Sequence, residues 1–90
     1  MSTKVHLYSS LQSYTDGRGT LEVQGTTVGE CLKDLTQKFP KLRPVLFANE
    51  GKLSSIVFVS INLESPNPEK LDKPLSPGDE LYIVLIIVGG

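Results

Sequence analysis

Side chains that could do chemistry are few in this sequence. Cys31 is the only cysteine and His6 is the only histidine. A single cysteine excludes an intrachain disulfide and a cysteine-based zinc site. His6 could act only as the base of a catalytic triad, and no neighbouring motif supplies its nucleophile and orienting acid. We therefore interpret both residues as structural, and we expect no metal site and no stand-alone enzyme.

The C-terminal segment LYIVLIIVGG, residues 81–90, offers a different reactive group. Seven consecutive apolar or aromatic residues, 82–88, are followed by Gly89 and Gly90. Glycine has no Cβ, so a backbone that ends in two glycines can enter a narrow site. A free α-carboxyl group, with a pKa of about 3.5, is unreactive at neutral pH, but adenylation makes it electrophilic. Taken alone, the glycines are also consistent with a frayed or artificial chain end.

The composition, with 39% hydrophobic and 21% charged residues, is typical of one globular domain, which we assign to residues 1–90. The formal net charge of −1 and the scattered Lys and Arg residues argue against a nucleic-acid partner. The N-terminal residues lack the apolar segment of a signal peptide. The C-terminal apolar run is shorter than the roughly 20 residues that cross a membrane. We expect a cytoplasmic protein with no membrane partner.

The first half predicts a β-hairpin followed by a helix. Apolar and polar residues alternate in KVHLYSS and in TLEVQG, as they do in half-buried strands, and Asp16-Gly17 between them predicts a tight turn. Thr27 and Glu30 have the spacing of a capping box. The apolar stripe of a helix follows, and it consists of Val28, Leu32, Leu35 and Phe39. Pro40 ends the predicted helix.

The second half predicts two more strands separated by a proline-rich loop. The apolar residues Leu42, Val45, Leu46 and Phe47 predict either a short helical turn or an irregular segment, and Glu50-Gly51 predicts a turn. Several β-branched residues predict a strand in IVFVSIN, and the four prolines of residues 63–80 predict a loop. Pro77-Gly78-Asp79 predicts the turn into a last strand, which runs from Glu80 to about Ile87.

This element order places strands at both ends of the chain and one helix between them, which predicts an α+β fold. The first and last strands can lie side by side in parallel at the centre of a mixed sheet. That sheet, of four to five strands packed on one main helix, is the β-grasp, or ubiquitin-like, architecture.

Four segments in this order resemble the ubiquitin-like sulfur carriers, the family typified by ThiS and by MoaD, the small subunit of molybdopterin synthase. The segments are KVHLYSSL, TTVGECLKDLTQKFPKL, KPLSPGDELYIV and the terminal GG. They leave only the middle loops unmatched. The middle segment, residues 41–62, resembles the branch that includes archaeal small modifiers and the carrier used in cysteine biosynthesis.

The resemblance implies that the Gly90 carboxylate, presented with Gly89, is adenylated on an E1-like adenylyltransferase. A sulfur donor, which is a cysteine desulfurase or a rhodanese-like protein, then helps convert it to a thiocarboxylate for a sulfur-accepting synthase. The partner uses ATP, so no cofactor is expected on this chain, which acts as a co-substrate. The recipient pathway, molybdopterin, thiamine or another, is not specified.

The apolar last strand predicts a partner surface, because the helix covers only one face of a β-grasp sheet. The residues predicted to face the helix are Leu81, Ile83 and Leu85. The predicted exposed patch, of a kind that marks partner sites, consists of Tyr8, Tyr82, Val84 and Ile86. Ile87 and Val88 are expected to enter a partner groove as an added strand. The alternative is a strand buried on both sides, by loops or in a homodimer.

Two other functions remain open at this point. A protein modifier would join activated Gly90 to a lysine of another protein, and some relatives do both. A β-grasp interaction domain with a chemically silent end would keep its binding after deletion of Gly89 and Gly90.

Overall fold

The computed structural model describes residues 2–47, 53–54, 56–62 and 71–85. The strands are β1 (Ser2–Leu7), β2 (Thr20–Gln24), β3 (Val57–Ile61) and β4 (Glu80–Leu85). The helices are α1 (Val28–Lys38) and α2 (Arg43–Leu46), with 3-10 helices at Ser9–Tyr14 and Pro40–Leu42. The strands form one sheet in the order β2-β1-β4-β3, in which β1 and β4 are parallel and the outer pairs are antiparallel. The predicted α+β arrangement, with the first and last strands adjacent at the sheet centre, is confirmed.

The start of α1 lies where the capping residues predict it. The Thr27 hydroxyl accepts a 3.1 Å hydrogen bond from the Glu30 amide. The Glu30 carboxylate accepts from the Thr26 amide at 2.8 Å and from the Thr26 hydroxyl at 2.9 Å, so the reciprocal bond of the capping box goes to the residue before the cap. The fully buried side chains of the helix include Val28, Cys31, Leu32 and Leu35. With Phe39 half-buried, the predicted apolar stripe is confirmed.

The connection between β1 and β2 is longer than the predicted tight hairpin. β1 ends at Leu7, earlier than predicted, because the chain turns into the 3-10 helix Ser9–Tyr14. The Leu11 amide donates to the Tyr8 carbonyl at 2.8 Å, and the Leu11 side chain is fully buried in the core. Asp16-Gly17 does turn the chain, with left-handed φ angles of 56° and 82°, but only at the end of this connection.

The middle of the chain packs as the helical alternative predicts. The 3-10 helix Pro40–Leu42 leads into α2, and Leu42 and Leu46 are completely buried. β3 lies within the predicted strand, and β4 begins at Glu80 as predicted. Predicted features outside the described residues are the Glu50-Gly51 turn, residues 63–70 of the proline-rich loop, and Ile86 and Ile87 of the last strand.

The segment before β4 is bonded to the N-terminal end of α1. The Val28 amide donates to the Lys73 carbonyl at 3.0 Å, and the Leu75 amide donates to the Thr26 carbonyl at 2.9 Å. Leu75 itself is buried in the core. These hydrogen bonds to the start of α1 therefore fix the position of the segment that enters β4.

Candidate functional site

The two faces of β4 have different surroundings. Leu81 and Ile83 face the hydrophobic core and have no exposed surface, as predicted, whereas Leu85 at the end of the strand is half-buried. Tyr82 and Val84 alternate with them and lie half-buried on the opposite, outer face of the sheet. Because β4 lies between β1 and β3, these outer side chains have neighbours on both sides.

An apolar row crosses the outer face at Val84. Phe58 of β3 lies opposite Val84 in the antiparallel register. On the other side, Tyr8 keeps an extended backbone and donates its amide to the Ile83 carbonyl at 3.0 Å. Since Leu7 pairs with Ile83, Tyr8 continues the outer phase beside Val84, and it is 57% exposed. We define the outer apolar face as Tyr8, Phe58, Tyr82 and Val84.

A polar group centred on His6 adjoins this face. The His6 ring stacks on Tyr82, with centroids 4.4 Å apart and planes inclined by 13°. Its Nε2 pairs with the Glu80 carboxylate, and its Nδ1 lies 3.3 Å from the Thr20 hydroxyl. The side chains of His6 and Glu80 keep 27% and 39% of their surface exposed. His6 therefore belongs to the candidate surface, a role that its interpretation as a structural residue missed.

A polar turn fixes the start of β4. Gly78 has a left-handed φ of 88°, and the Asp79 amide donates to the Ser76 carbonyl at 3.0 Å, which confirms the predicted turn. The Asp79 carboxylate accepts from the Ser76 amide at 2.7 Å and from the Asn62 side-chain amide at 2.8 Å. These two bonds, the Ser76 bond foremost, hold the pKa of Asp79 below its ordinary value of 3.8.

Asn62 joins the end of β3 to the start of β4. Its φ of 56° lies in the left-handed region, where asparagine is enriched. Its backbone amide donates to the Glu80 carbonyl, and its side-chain oxygen accepts from the Glu80 amide, both at 2.8 Å. The register of β4, and hence the position of Tyr82 and Val84, is fixed at this point.

Three predicted site residues, Tyr8, Tyr82 and Val84, lie together on the outer apolar face. Tyr82 is less exposed than predicted, because the His6 ring stacks on it. Phe58 was not predicted, since its strand is apolar in both phases as far as Val59. The predicted site residues outside the described part of the chain are Ile86, Ile87, Val88, Gly89 and Gly90.

Cys31 is fully buried, and burial raises the pKa of its thiol, which disfavours the reactive thiolate. No group of three or more His, Cys, Asp or Glu residues that could hold a metal ion occurs among residues 2–47, 53–54, 56–62 and 71–85. Of the helices in that same part of the chain, none has both the length and the apolar character to span a bilayer.

Three solved structures are closely similar to this chain. SAMP1 from Haloferax volcanii, in a crystal structure, has 27% identity and a TM-score of 0.85 over 100% of both chains. The small archaeal modifier protein 1 from Methanosarcina acetivorans, in a solution structure, has 28% identity and a TM-score of 0.81 over 99% of this chain and 96% of its own. A chain in the crystal structure of the Amycolatopsis orientalis BexX/CysO complex has 27% identity and a TM-score of 0.82, with 98% and 99% covered.

Comparison with curated protein sequences gives no significant match. The family model for ThiS, in contrast, matches residues 5–90, which include the last three residues of β1, all of α1 and β4, and the terminal glycines. The TM-scores of 0.81 to 0.85 show that this chain has the same overall fold as the three similar solved structures. This chain therefore belongs to the ThiS family and has its ubiquitin-like β-grasp fold.

Proposed function

We propose that this chain is a sulfur carrier whose Gly90 carboxylate is adenylated by an E1-like adenylyltransferase and converted to a thiocarboxylate. The observation that carries the proposal is that the ThiS family match extends through Gly89 and Gly90. The thiocarboxylate donates sulfur in the biosynthesis of a cofactor or metabolite, and the chain acts as a co-substrate of the accepting synthase. The mature protein must expose a free Gly90 carboxylate, by trimming if it is made longer.

The chemistry uses the backbone end of this chain and the side chains of its partners. A carboxylate oxygen of Gly90 attacks the α-phosphorus of ATP, and pyrophosphate leaves. A persulfide on the sulfur donor, a cysteine desulfurase or a rhodanese-like protein, attacks the acyl adenylate and displaces AMP. A thiolate then attacks the donor's cysteine sulfur in the acyl disulfide, forms a disulfide with the donor, and releases Gly90 as the thiocarboxylate. The chain must therefore supply an accessible end and a docking surface.

The outer apolar face supports docking of the activating partner. Tyr8 is exposed and Val84 is half-buried, so covering them removes apolar surface from water and favours association. β4 carries two residues of this face and also leads toward Gly90. The five residues that follow Leu85 span at most about 18 Å when extended. A partner bound to the face can therefore hold Gly90 in an adjacent active site.

Intact mass spectrometry of the protein from its native host tests the proposal. We expect a fraction in which one oxygen is replaced by one sulfur, and we expect deletion of Gly89 and Gly90 to remove it. With ATP and the E1-like enzyme of the host, the purified chain should form an acyl adenylate and release pyrophosphate. A protein that shows neither the sulfur-bearing form in the host nor the adenylate in vitro is not a carrier of this kind.

A protein modifier is the second candidate, favoured by the similarity to small archaeal modifier protein 1. In this function a target lysine amine attacks activated Gly90 and forms an isopeptide bond. Trypsin does not cut efficiently before Pro74, and no Lys or Arg follows Lys73. A modified target lysine would thus carry residues 71–90 as its tryptic branch. Detection of that branched peptide supports the modifier, whereas a thiocarboxylate without it supports the carrier alone.

A further inference from the structure

His6 brings an ionisable group into the candidate docking surface. Its ring contacts Tyr82, a residue of the outer apolar face, and it links two further strands through Glu80 of β4 and Thr20 of β2. Imidazole is the side chain whose charge changes between about pH 5 and 8. A change of charge at His6 therefore acts directly on the ring that the partner is expected to cover.

Of the charged side chains near His6 that the structure describes, Glu80 is the one in direct contact with its ring. On β1, Lys4 precedes His6 by one outer-face position and pairs in register with both Glu80 and Glu22 of β2. On β4, Tyr82 pairs in register with His6. β3 (Val57–Ile61) contributes no acidic or basic side chain. Protonation of His6 thus adds one positive charge beside one carboxylate that it already contacts.

The two charge states of His6 hold its neighbours differently. In the neutral ring, Nε2–H donates to the Glu80 carboxylate and Nδ1 accepts from the Thr20 hydroxyl. In the protonated ring, both nitrogens donate, the pair with Glu80 becomes a charged pair, and the cation lies over the Tyr82 ring. The protonated state therefore binds Tyr82 more firmly and neutralises the charge of Glu80.

We propose that His6 is a charge-responsive positioning residue of the outer apolar face, and that protonation of its ring strengthens partner docking. This inference rests on the proposed function, in which a partner covers that face. Covering a neutralised Glu80 costs less desolvation than covering a carboxylate whose charge is not balanced. A Tyr82 ring held by the imidazolium also loses less freedom on docking.

The first test is nuclear magnetic resonance of the free protein, which needs no partner. Between pH 5 and 8.5, the Tyr82 ring protons should shift in step with the titration of the His6 ring protons, and His6→Gln should abolish this shift. Tyr82 resonances that stay fixed while His6 titrates would overturn the positioning role, because the stack would not transmit the charge of His6.

The second test is ATP–pyrophosphate exchange with the E1-like enzyme of the host, with the carrier as the varied substrate. We compare the KM of His6→Gln and Glu80→Gln with that of the wild type at pH 6 and pH 8. Each variant should raise KM at pH 6 by about two- to fivefold, the range that a partly exposed ion pair supplies. Neither should change kcat. At pH 8 the KM ratio should be close to one for His6→Gln and below one for Glu80→Gln, which removes the carboxylate that a neutral His6 ring leaves unbalanced. Because variant and wild type are compared at the same pH, the pH dependence of the E1-like enzyme itself cancels in the KM ratio.

The double variant and a matched control complete this test. His6→Gln/Glu80→Gln should cost no more than either single change, because the two residues act as one pair. Glu22→Gln removes a carboxylate from the same face and should leave the pH dependence of the wild type unchanged. If exchange occurs but the KM ratios do not depend on pH, the role of His6 is wrong and the carrier function stands. If no exchange occurs at any pH, the proposed function fails, and the resonance test still decides the coupling.

Discussion

The amide of Gly29, in the first turn of α1, donates a 2.7 Å hydrogen bond to the carbonyl of Leu71, in the segment that leads to β4. The close contact between the two backbones depends on the absence of a side chain at Gly29. A Cβ on residue 29 would lie 2.9 Å from the Leu71 carbonyl oxygen and 3.3 Å from the Leu71 Cβ. Helix α1 and the segment that enters β4 are therefore held together at a contact that a side chain on residue 29 would disturb.

Gly29→Ala should destabilise the protein, although alanine usually stabilises a helix. The gain in helix propensity is about 1 kcal/mol. The added methyl group must displace the Leu71 backbone, which costs about 1–3 kcal/mol and releases the hydrogen bond. Urea unfolding should therefore show a lower midpoint for Gly29→Ala, whereas Gln37→Ala, at an exposed position of the same helix, should change stability by less than about 0.5 kcal/mol. A raised midpoint for Gly29→Ala would mean that the 71–75 segment shifts without cost.

Acid should destabilise the fold through carboxylates that bind backbone amides, among them Glu30 and Asp79. The Thr26 amide, followed by the Thr26 hydroxyl, holds the pKa of Glu30 below 4.5, and the Ser76 amide holds the pKa of Asp79 below 3.8. Because both values are lowered in the folded state, their contribution to stability is complete above these ordinary values and is lost as the pH falls through the lowered ones. Unfolding measured from about pH 6 to about pH 2 should show this loss. Glu30→Gln should make the free energy of unfolding depend less steeply on pH in this range. An unchanged pH dependence in this variant would contradict the role of Glu30.

Asn62 variants should separate backbone conformation from side-chain bonding. Asn62→Gly keeps the left-handed φ but loses the bonds to Asp79 and the Glu80 amide, which should cost about 1–2 kcal/mol. Asn62→Ala loses the same bonds and adds about 1 kcal/mol for a left-handed alanine. Chemical denaturation should give the highest free energy of unfolding for the wild type, a lower value for Asn62→Gly and the lowest value for Asn62→Ala. Equal stability of the two variants would show that the backbone relaxes once the side chain is gone.

Local patterns in the sequence were sufficient to predict most of the helices and strands and the pairing of the first and last strands. The spacing of Thr27 and Glu30 located the start of α1 because a cap is decided within one turn of helix. The parallel pairing of β1 and β4 followed from element order, since strands at both ends of a chain with one helix between them have few ways to share a sheet. Leu11 was missed because its 3-10 helix interrupts the strand pattern without a pattern of its own.

Contacts between strands could not be predicted in the same way. His6 and Glu80 are separated by 74 positions, and their pairing depends on a register that no local pattern encodes. Phe58 lies in a strand that is apolar in both phases as far as Val59, so only its pairing with Val84 assigns it to the outer face. The reactive Gly90 was predicted from the sequence, lies outside the described residues, and stays a prediction.

Tyr8→Ser should weaken docking without unfolding the protein. Tyr8 is the most exposed residue of the outer apolar face, and truncation of an aromatic anchor commonly costs about 2 kcal/mol of binding. We expect KM for the carrier in ATP–pyrophosphate exchange to rise by about tenfold or more, with kcat unchanged. Tyr14→Ser is the matched control, because Tyr14 is also exposed, at 36%, but does not belong to that face. If the two substitutions raised KM equally, the outer apolar face would not be the docking surface.

Gly89→Val should block activation while the domain stays folded. The core residues that the structure describes extend no further than Leu85, so a change four positions later should leave the unfolding temperature unchanged. A β-branched side chain restricts the backbone and adds bulk beside Gly90. Misplacement of a reacting carboxylate by about 1 Å can cost about a hundredfold in rate, and pyrophosphate exchange should fall by at least that factor. Gly89→Ala should give an intermediate loss, because it adds one methyl group and no β-branch. Normal exchange by Gly89→Val would show that the activating enzyme does not close around this residue, and the reactive-end mechanism would then lose its steric basis.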